Sequence, residues 1–200
     1  MTNQLNAFGF KDYEFISNYG KDVLTDNDKK MFRNINDAEI SVCLHHIQCF
    51  KNIVIGNYDY ALILEDDVVL GPDFHNKLKM YINELPENWD MLFVGDGCGY
   101  HIPQDRITND KHIYLKDYAP SATTGQGCTR CLDSYIVSKK CASVIVNRLT
   151  TLKNYTILVP ADLWLNNVIK NNRFKIYWGE PTICTQGSQK GVYKSSIKDR

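Results

Sequence analysis

Between Asp37 and Ile55 the apolar positions Ile40, Leu44, Ile47 and Val54 recur at helical spacing, with Cys43 and Phe50 widening the stripe. That period predicts an amphipathic helix with Asp37 as its N-cap. The pattern then changes to short apolar runs at 60–64, 89–94, 135–137 and 174–178, each read as a strand. Helical spacing returns between them. Gly71-Pro72 turns the chain into a helix over 74–85, Ser138 caps one carrying Ala142, Val144, Ile145, Val146 and Leu149, and residues 162–172 form another. Near the start, Phe8-Gly9-Phe10 closes a short helix, 13–16 reads as a strand, and Thr25 with Asp28 opens a further short helix. From Cys98 to Arg130 no period is visible, which predicts a long irregular loop. Strands alternating with helices predict a single α/β domain over residues 1–200, with a Rossmann-like, largely parallel central sheet flanked by helices.

Composition narrows the function classes. Hydrophobic residues make up 44% and charged residues 23%, which supports a sizeable core and excludes a disordered chain. Lys+Arg and Asp+Glu are balanced at 23 each, so bulk charge points to neither nucleic acid nor an anionic membrane as partner. No run approaches the roughly 18 apolar residues of a spanning helix, and no apolar segment follows Met1. The expectation is a soluble, unsecreted chain in the cytoplasm. Seven cysteines at scattered spacings fit reduced thiols there. Without secretion, the glycosylation sequon Asn154-Tyr155-Thr156 is a chance match.

The chemistry concentrates in Leu62-Ile63-Leu64-Glu65-Asp66-Asp67-Val68-Val69-Leu70, where three adjacent carboxylates interrupt an apolar run. Burying ionised carboxylates is costly unless they are paired, and like neighbours raise each other's pKa. No lysine or arginine lies between Asn52 and Asp73 to neutralise them. A solvated strand end is the plain alternative, but the apolar flanks favour a divalent cation on hard oxygen ligands. Magnesium or manganese held by few carboxylates completes its shell with water and phosphate oxygens. Nuclease, phosphatase and nucleotide-sugar transferase all fit at this point. A competing zinc set is Cys98-x-x-His101 with Cys128-x-x-Cys131. A thioredoxin-like role for the latter pair lacks the adjacent strand-to-helix turn.

Glu39-Ile40, Leu44 and His46, followed by Leu62 to Val68 and Phe74, resemble glycosyltransferase family 25, which includes lipooligosaccharide and procollagen galactosyltransferases. Trp89-Asp90 to Gly95, Tyr135 to Ser138 with Ala142, then Asp162, Pro181, Gln186 and Ser195 or Ser196 follow in the family's order. The resemblance implies a GT-A fold and inverting transfer of galactose or glucose from a UDP-sugar, with manganese or magnesium, to a carbohydrate or hydroxylysine-type hydroxyl. By position, Asp67 is the direct metal ligand, and Glu65 or Asp66 completes the metal shell or contacts ribose. His46 and Gln186 join the donor-binding set, His46 from behind the ligands. Asp162, in Pro160-Ala161-Asp162-Leu163-Trp164, takes the place of the base, with Trp164 offered to a sugar face; its plain alternative is a helix cap. The irregular loop is expected to select the acceptor. The basic segment from Lys190 to Arg200 is either a solvated tail or a lid over the diphosphate.

The chain departs from the family pattern in three places. Ser41, Val42, Cys43 and His45 replace the usual Gly, Cys, Ala and Ser, and no histidine follows His112. The usual opening strand is also missing, Met1 to Phe10 resembling the helix that follows it. A catalytically inactive binding or assembly subunit is therefore the first alternative. A metal-dependent phosphohydrolase is the second, weakened because Glu65 stands where that chemistry needs an aspartate nucleophile.

Overall fold

The computed structural model describes residues 1–116, 127–152 and 155–194, without the side chain of Cys98. Asn154, Ser195, Ser196 and residues 117–126 of the expected loop lie outside that set. In chain order the elements are α1 (Thr2–Ala7), α2 (Asp26–Lys29), α3 (Asp37–Ile55), β1 (Tyr60–Leu64), β2 (Val68–Leu70), α4 (Phe74–Glu84), β3 (Met91–Phe93), β4 (Ile113–Lys116), β5 (Ser134–Ser138), α5 (Lys139–Thr151), α6 (Ala161–Asn172), β6 (Ile176–Gly179) and β7 (Cys184–Gln186). No helix among the described residues is long and apolar enough to cross a membrane.

Helix α3 starts one residue earlier than its spacing indicates. Asn36 is the cap: its side chain accepts the Glu39 N–H at 3.0 Å, and the Glu39 carboxylate accepts the Asn36 N–H at 2.9 Å. This reciprocal box satisfies two otherwise free donors. Thr25 and Asp28 do the same for α2, and Ser138 accepts the Cys141 N–H at the start of α5. Asn36→Ala is expected to cost about 1 kcal/mol. A urea titration would show it as a lower midpoint at unchanged slope.

The central sheet corrects the parallel expectation. Its order is β1-β5-β3-β6-β4, and only β3 and β6 pair in parallel. β5 runs antiparallel to both β1 and β3, and β4 runs antiparallel to β6. The strands β1, β3 and β6 therefore share one direction, but β5 separates β1 from β3 and removes the parallel contact between them. Alternation of helices and strands reads only the order of elements along the chain, which leaves open which strand slots between which. Three strands are also too short to show a period: β2 and β7 pair antiparallel with Val68 opposite Gln186, and β4 lies inside the expected loop. Residues 13–16, expected as a strand, pair with nothing in the sheet.

Side-chain alternation along β3 builds the core on both faces. Met91 and Phe93 face the layer of α3, α5 and α6, with Phe50, Ile145 and Leu165; Leu92 and Val94 face β2 and α4, with Phe74 and Tyr81. All nine of these residues are essentially inaccessible to solvent. The shared strand direction sets the functional geography. The residues after β1, β3 and β6 and those before β5 all emerge at one edge of the sheet.

Candidate functional site

At that edge Glu65-Asp66-Asp67 form the turn from β1 into β2. The Glu65 N–H donates to the Asp133 carbonyl at 2.8 Å, which continues the β1–β5 ladder one step past the strand. Glu65 and Asp67 are half-buried, whereas Asp66 is exposed at the tip. Behind Glu65 lies His46 from α3, buried, with Nδ1 2.8 Å from the Tyr135 hydroxyl and Nε2 3.3 Å from the Glu65 Oε1. Burial pushes the Tyr135 phenol well up, so its hydroxyl keeps its proton beside Nδ1. The Glu65 carboxylate is an acceptor, so the hydrogen bond on that side comes from Nε2–H. Both ring nitrogens of His46 are used, and it orients Glu65.

Asp67 is held from the far end of the chain. Its carbonyl accepts the Gly187 N–H at 2.8 Å, and its Oδ2 accepts the Ser188 N–H at 3.3 Å. Its Oδ1 is buried and has no hydrogen-bond partner. The β2–β7 pairing makes this possible by setting Gln186 opposite Val68, and the Gln186 Oε1 accepts from Gln189 at 2.6 Å. Four residues beyond Gln186, the Lys190 ammonium lies 3.1 Å from the Asp96 carboxylate.

Sequence reasoning missed two acids here. Asp96 follows β3, is nearly buried, and donates its N–H to the Cys184 carbonyl at 3.1 Å. Asp133 heads β5 and has no solvent exposure at all. Its Oδ2 accepts the Ser134 hydroxyl at 2.8 Å, while its Oδ1 is buried without a partner. Burial, reinforced by the charges of Glu65 and Asp96, pushes the Asp133 carboxyl up to about 7. Gly95 and Gly97 flank Asp96 because a Cβ at either position would collide with the Asp133 carboxylate. Two signals were visible in the sequence: a Gly-Asp-Gly after one strand, and a lone acid at the head of another.

One side of the edge is fixed by a buried ion pair. Arg130, wholly inaccessible, donates Nε to the Tyr100 carbonyl at 2.6 Å, Nη1 to the Gly179 carbonyl at 2.9 Å, and Nη2 to the Glu180 carboxylate. Its guanidinium sits 4.6 Å over the Trp178 ring. Burial lowers the Arg130 pKa, and Glu180 opposes that shift. Glu180 also accepts the Ile102 N–H at 3.0 Å and lies 3.2 Å from His101 Nδ1. His101 of the expected zinc set thus faces a carboxylate. Cys128 and Cys131 form no disulfide, and the Cys98 side chain is outside the described residues. No three His, Cys, Asp or Glu side chains among the described residues are arranged to hold an ion by themselves.

Asp162 stands in the first turn of α6, where Pro160 is the N-cap and makes no side-chain cap. Its Oδ1 accepts the Leu163 N–H at 2.8 Å, and its charge adds to the burial that pushes the Cys43 thiol of α3 up to about 12. No hydrogen bond or ion pair among the described residues links it to the acidic turn. Trp164 corrects the sequence reading. It is 3% exposed and donates its indole N–H to the Tyr155 hydroxyl at 3.0 Å, so its ring packs in the core and is not offered to a sugar. Asn166, one turn of α6 further on, accepts the N–H groups of Cys128 and Thr129 and ties the segment ahead of β5 to the helix.

Where the codirectional strands of this α/β sheet end, Asp133 feels the charges of Glu65 and Asp96, and Asp67 follows in the same turn as Glu65. The sequence matches glycosyltransferase family 25 (LPS biosynthesis protein) over residues 12–165, and the chain belongs to that family. Family membership makes it a glycosyltransferase, which works between a sugar donor and an acceptor. No individual curated protein matches it. The matched stretch includes His46, the acidic turn, Asp133 and Asp162, whereas Gln186 and Lys190 lie beyond it.

Proposed function

We propose that the chain is a metal-dependent, inverting glycosyltransferase of GT-A type that moves a hexose, galactose or glucose, from a UDP-sugar to a hydroxyl of a glycan or protein acceptor. The observation that carries this reading is the unpartnered, buried Oδ1 of Asp67 at the carboxyl end of the sheet. An ionised oxygen left without a donor in a half-buried site is what a hard cation satisfies. Asp67 fits as the direct ligand, and Glu65, oriented by His46, fits beside it. With no third protein ligand among the described residues, the rest of the shell falls to water and to the donor's phosphate oxygens, as suits magnesium or manganese. When bound, such an ion neutralises the charge on the departing diphosphate. Asp66 and Gln186, exposed and half-buried beside that position, are the candidates for donor contacts.

Asp162 remains the candidate base. Its carboxylate is half-buried and uses one oxygen for the Leu163 N–H, leaving Oδ2 for an acceptor hydroxyl. Asp162→Asn keeps the backbone contact and loses basicity. Transfer is expected to fall by about 10²–10⁴-fold, with UDP affinity within about twofold of the parent. Lost folding, or unchanged transfer, would return Asp162 to a purely structural role. The whole reading is tested by turnover of UDP-galactose and UDP-glucose with manganese, before and after chelation. Metal-dependent release of UDP supports it, and none from a well-folded chain moves the binding or assembly reading ahead.

A further inference from the structure

Gly187 to Tyr193 form a turn pressed onto the acidic motif. A Cβ at Gly187 would lie 2.6 Å from the Asp67 carbonyl oxygen and against the Tyr193 ring, so the backbone reaches Asp67 only because residue 187 is glycine. Val192 and Tyr193 donate their N–H groups back to the Gly187 carbonyl and close the turn on itself. The turn projects Lys190 over the edge, its side chain 55% exposed against 11% for its partner Asp96. The ammonium thus sits between buried carboxylates and solvent, at the mouth of the site. Two carboxylate oxygens at these strand ends have no hydrogen-bond partner among the described residues, Oδ1 of Asp67 and Oδ1 of the fully buried Asp133. The ammonium pairs with Asp96, whose charge in turn reaches Asp133. Only the lysine end of the pair is exposed, so Lys190 can leave Asp96 provided that another positive charge takes its place beside the buried carboxylate.

We propose that Lys190 is a phosphate-binding residue: it holds Asp96 while the site is empty and passes to the donor's phosphate oxygens when nucleotide and cation enter. The proposal rests on the UDP-sugar reading and adds a specific anion contact to it. A lysine ammonium suits this role as a compact point charge with three donors on a flexible stem. A cation held by Asp67 would add positive charge to the site, and Lys190 would then be available to the phosphate oxygens. Lys190 lies outside the residues that match the family, so this contact belongs to the chain's own C-terminal turn.

Calorimetric titration of UDP, uridine and inorganic pyrophosphate, each with manganese, into the parent chain, Lys190→Gln and Lys190→Arg tests the assignment. Lys190→Gln is expected to weaken UDP and pyrophosphate by about tenfold or more, to leave uridine unchanged, and to flatten the salt dependence of UDP binding. Lys190→Arg should keep most of the affinity. Equal melting temperatures would exclude a folding defect, which is expected for so exposed a side chain. Unchanged UDP and pyrophosphate binding in Lys190→Gln overturns the assignment while sparing the donor reading. A parent chain that binds pyrophosphate but not UDP removes the nucleotide and keeps Lys190, provided Lys190→Gln loses the pyrophosphate. Binding of neither overturns both.

Discussion

Replacing Asp67 by alanine is expected to abolish manganese-dependent binding of uridine diphosphate, and hexose transfer with it. Among the described residues of the acidic turn, the Asp67 carboxylate supplies a buried oxygen that no donor reaches. Residues that merely orient metal ligands typically cost 10–100-fold when removed, so loss of the ligand itself should exceed about 100-fold. Folding should survive. Of the two contacts that tether Asp67, the stronger runs from its backbone carbonyl to Gly187 and persists in the variant, and only the 3.3 Å contact to Ser188 goes. His46→Ala is the graded comparison: it removes the support of Glu65 but no ligand, and should weaken the metal-dependent part about tenfold. Titration of UDP with and without manganese reads both. A parent whose UDP binding ignores manganese, or an Asp67→Ala chain that binds as the parent does, would end the metal-ligand assignment.

Glu180→Ala is expected to be the most destabilising single change at the site, by about 3–5 kcal/mol. It strands the guanidinium of Arg130 with no solvent access and leaves the Ile102 N–H without its acceptor. That is a large share of the 5–15 kcal/mol typical of a folded domain, and should lower the melting temperature by about 10 °C or more. Replacing both partners by apolar residues, Arg130→Met with Glu180→Leu, removes the unpaired charge and should recover part of the loss. Recovery stays partial, because the Tyr100 and Gly179 carbonyls then lose their donor as well. Thermal melts of the single and double variants decide it; a single variant within about 1 kcal/mol of the parent would show that water or a rearranged partner reaches Arg130. The pair ties the loop after β3, through the Tyr100 carbonyl and the Ile102 N–H, to the end of β6.

Local pattern was informative wherever the structure is local. The stripe through Ile40, Leu44 and Ile47 became α3, Ser138 capped α5 as read, and the acids of residues 65–67 ended a strand as expected. Each depends on neighbours within a few positions, and helical or strand period records those. The acidic motif was legible for a further reason. Three adjacent charges inside an apolar run are so costly that their presence implies a compensating partner.

By itself, then, the sequence determined the helices, the strands β1, β3, β5 and β6, the α/β class, the family and the acidic turn. Only the tertiary structure decided the sheet order, because insertion of β5 between β1 and β3 is a contact between segments about seventy residues apart that leaves no mark on local period. It also decided who surrounds the acids. Asp133 is one ordinary acid in the chain, and its buried state is created by Gly95, Gly97 and Glu65 from other elements. Trp164, which by position alone was offered to a ligand, is taken into the core by Tyr155. Lys190 and Ser188 reach Asp67 and Asp96 through the pairing of two three-residue strands too short to announce themselves. Spacing along a chain encodes which residues share a face, whereas which faces meet is set by the packing free energy of the whole domain.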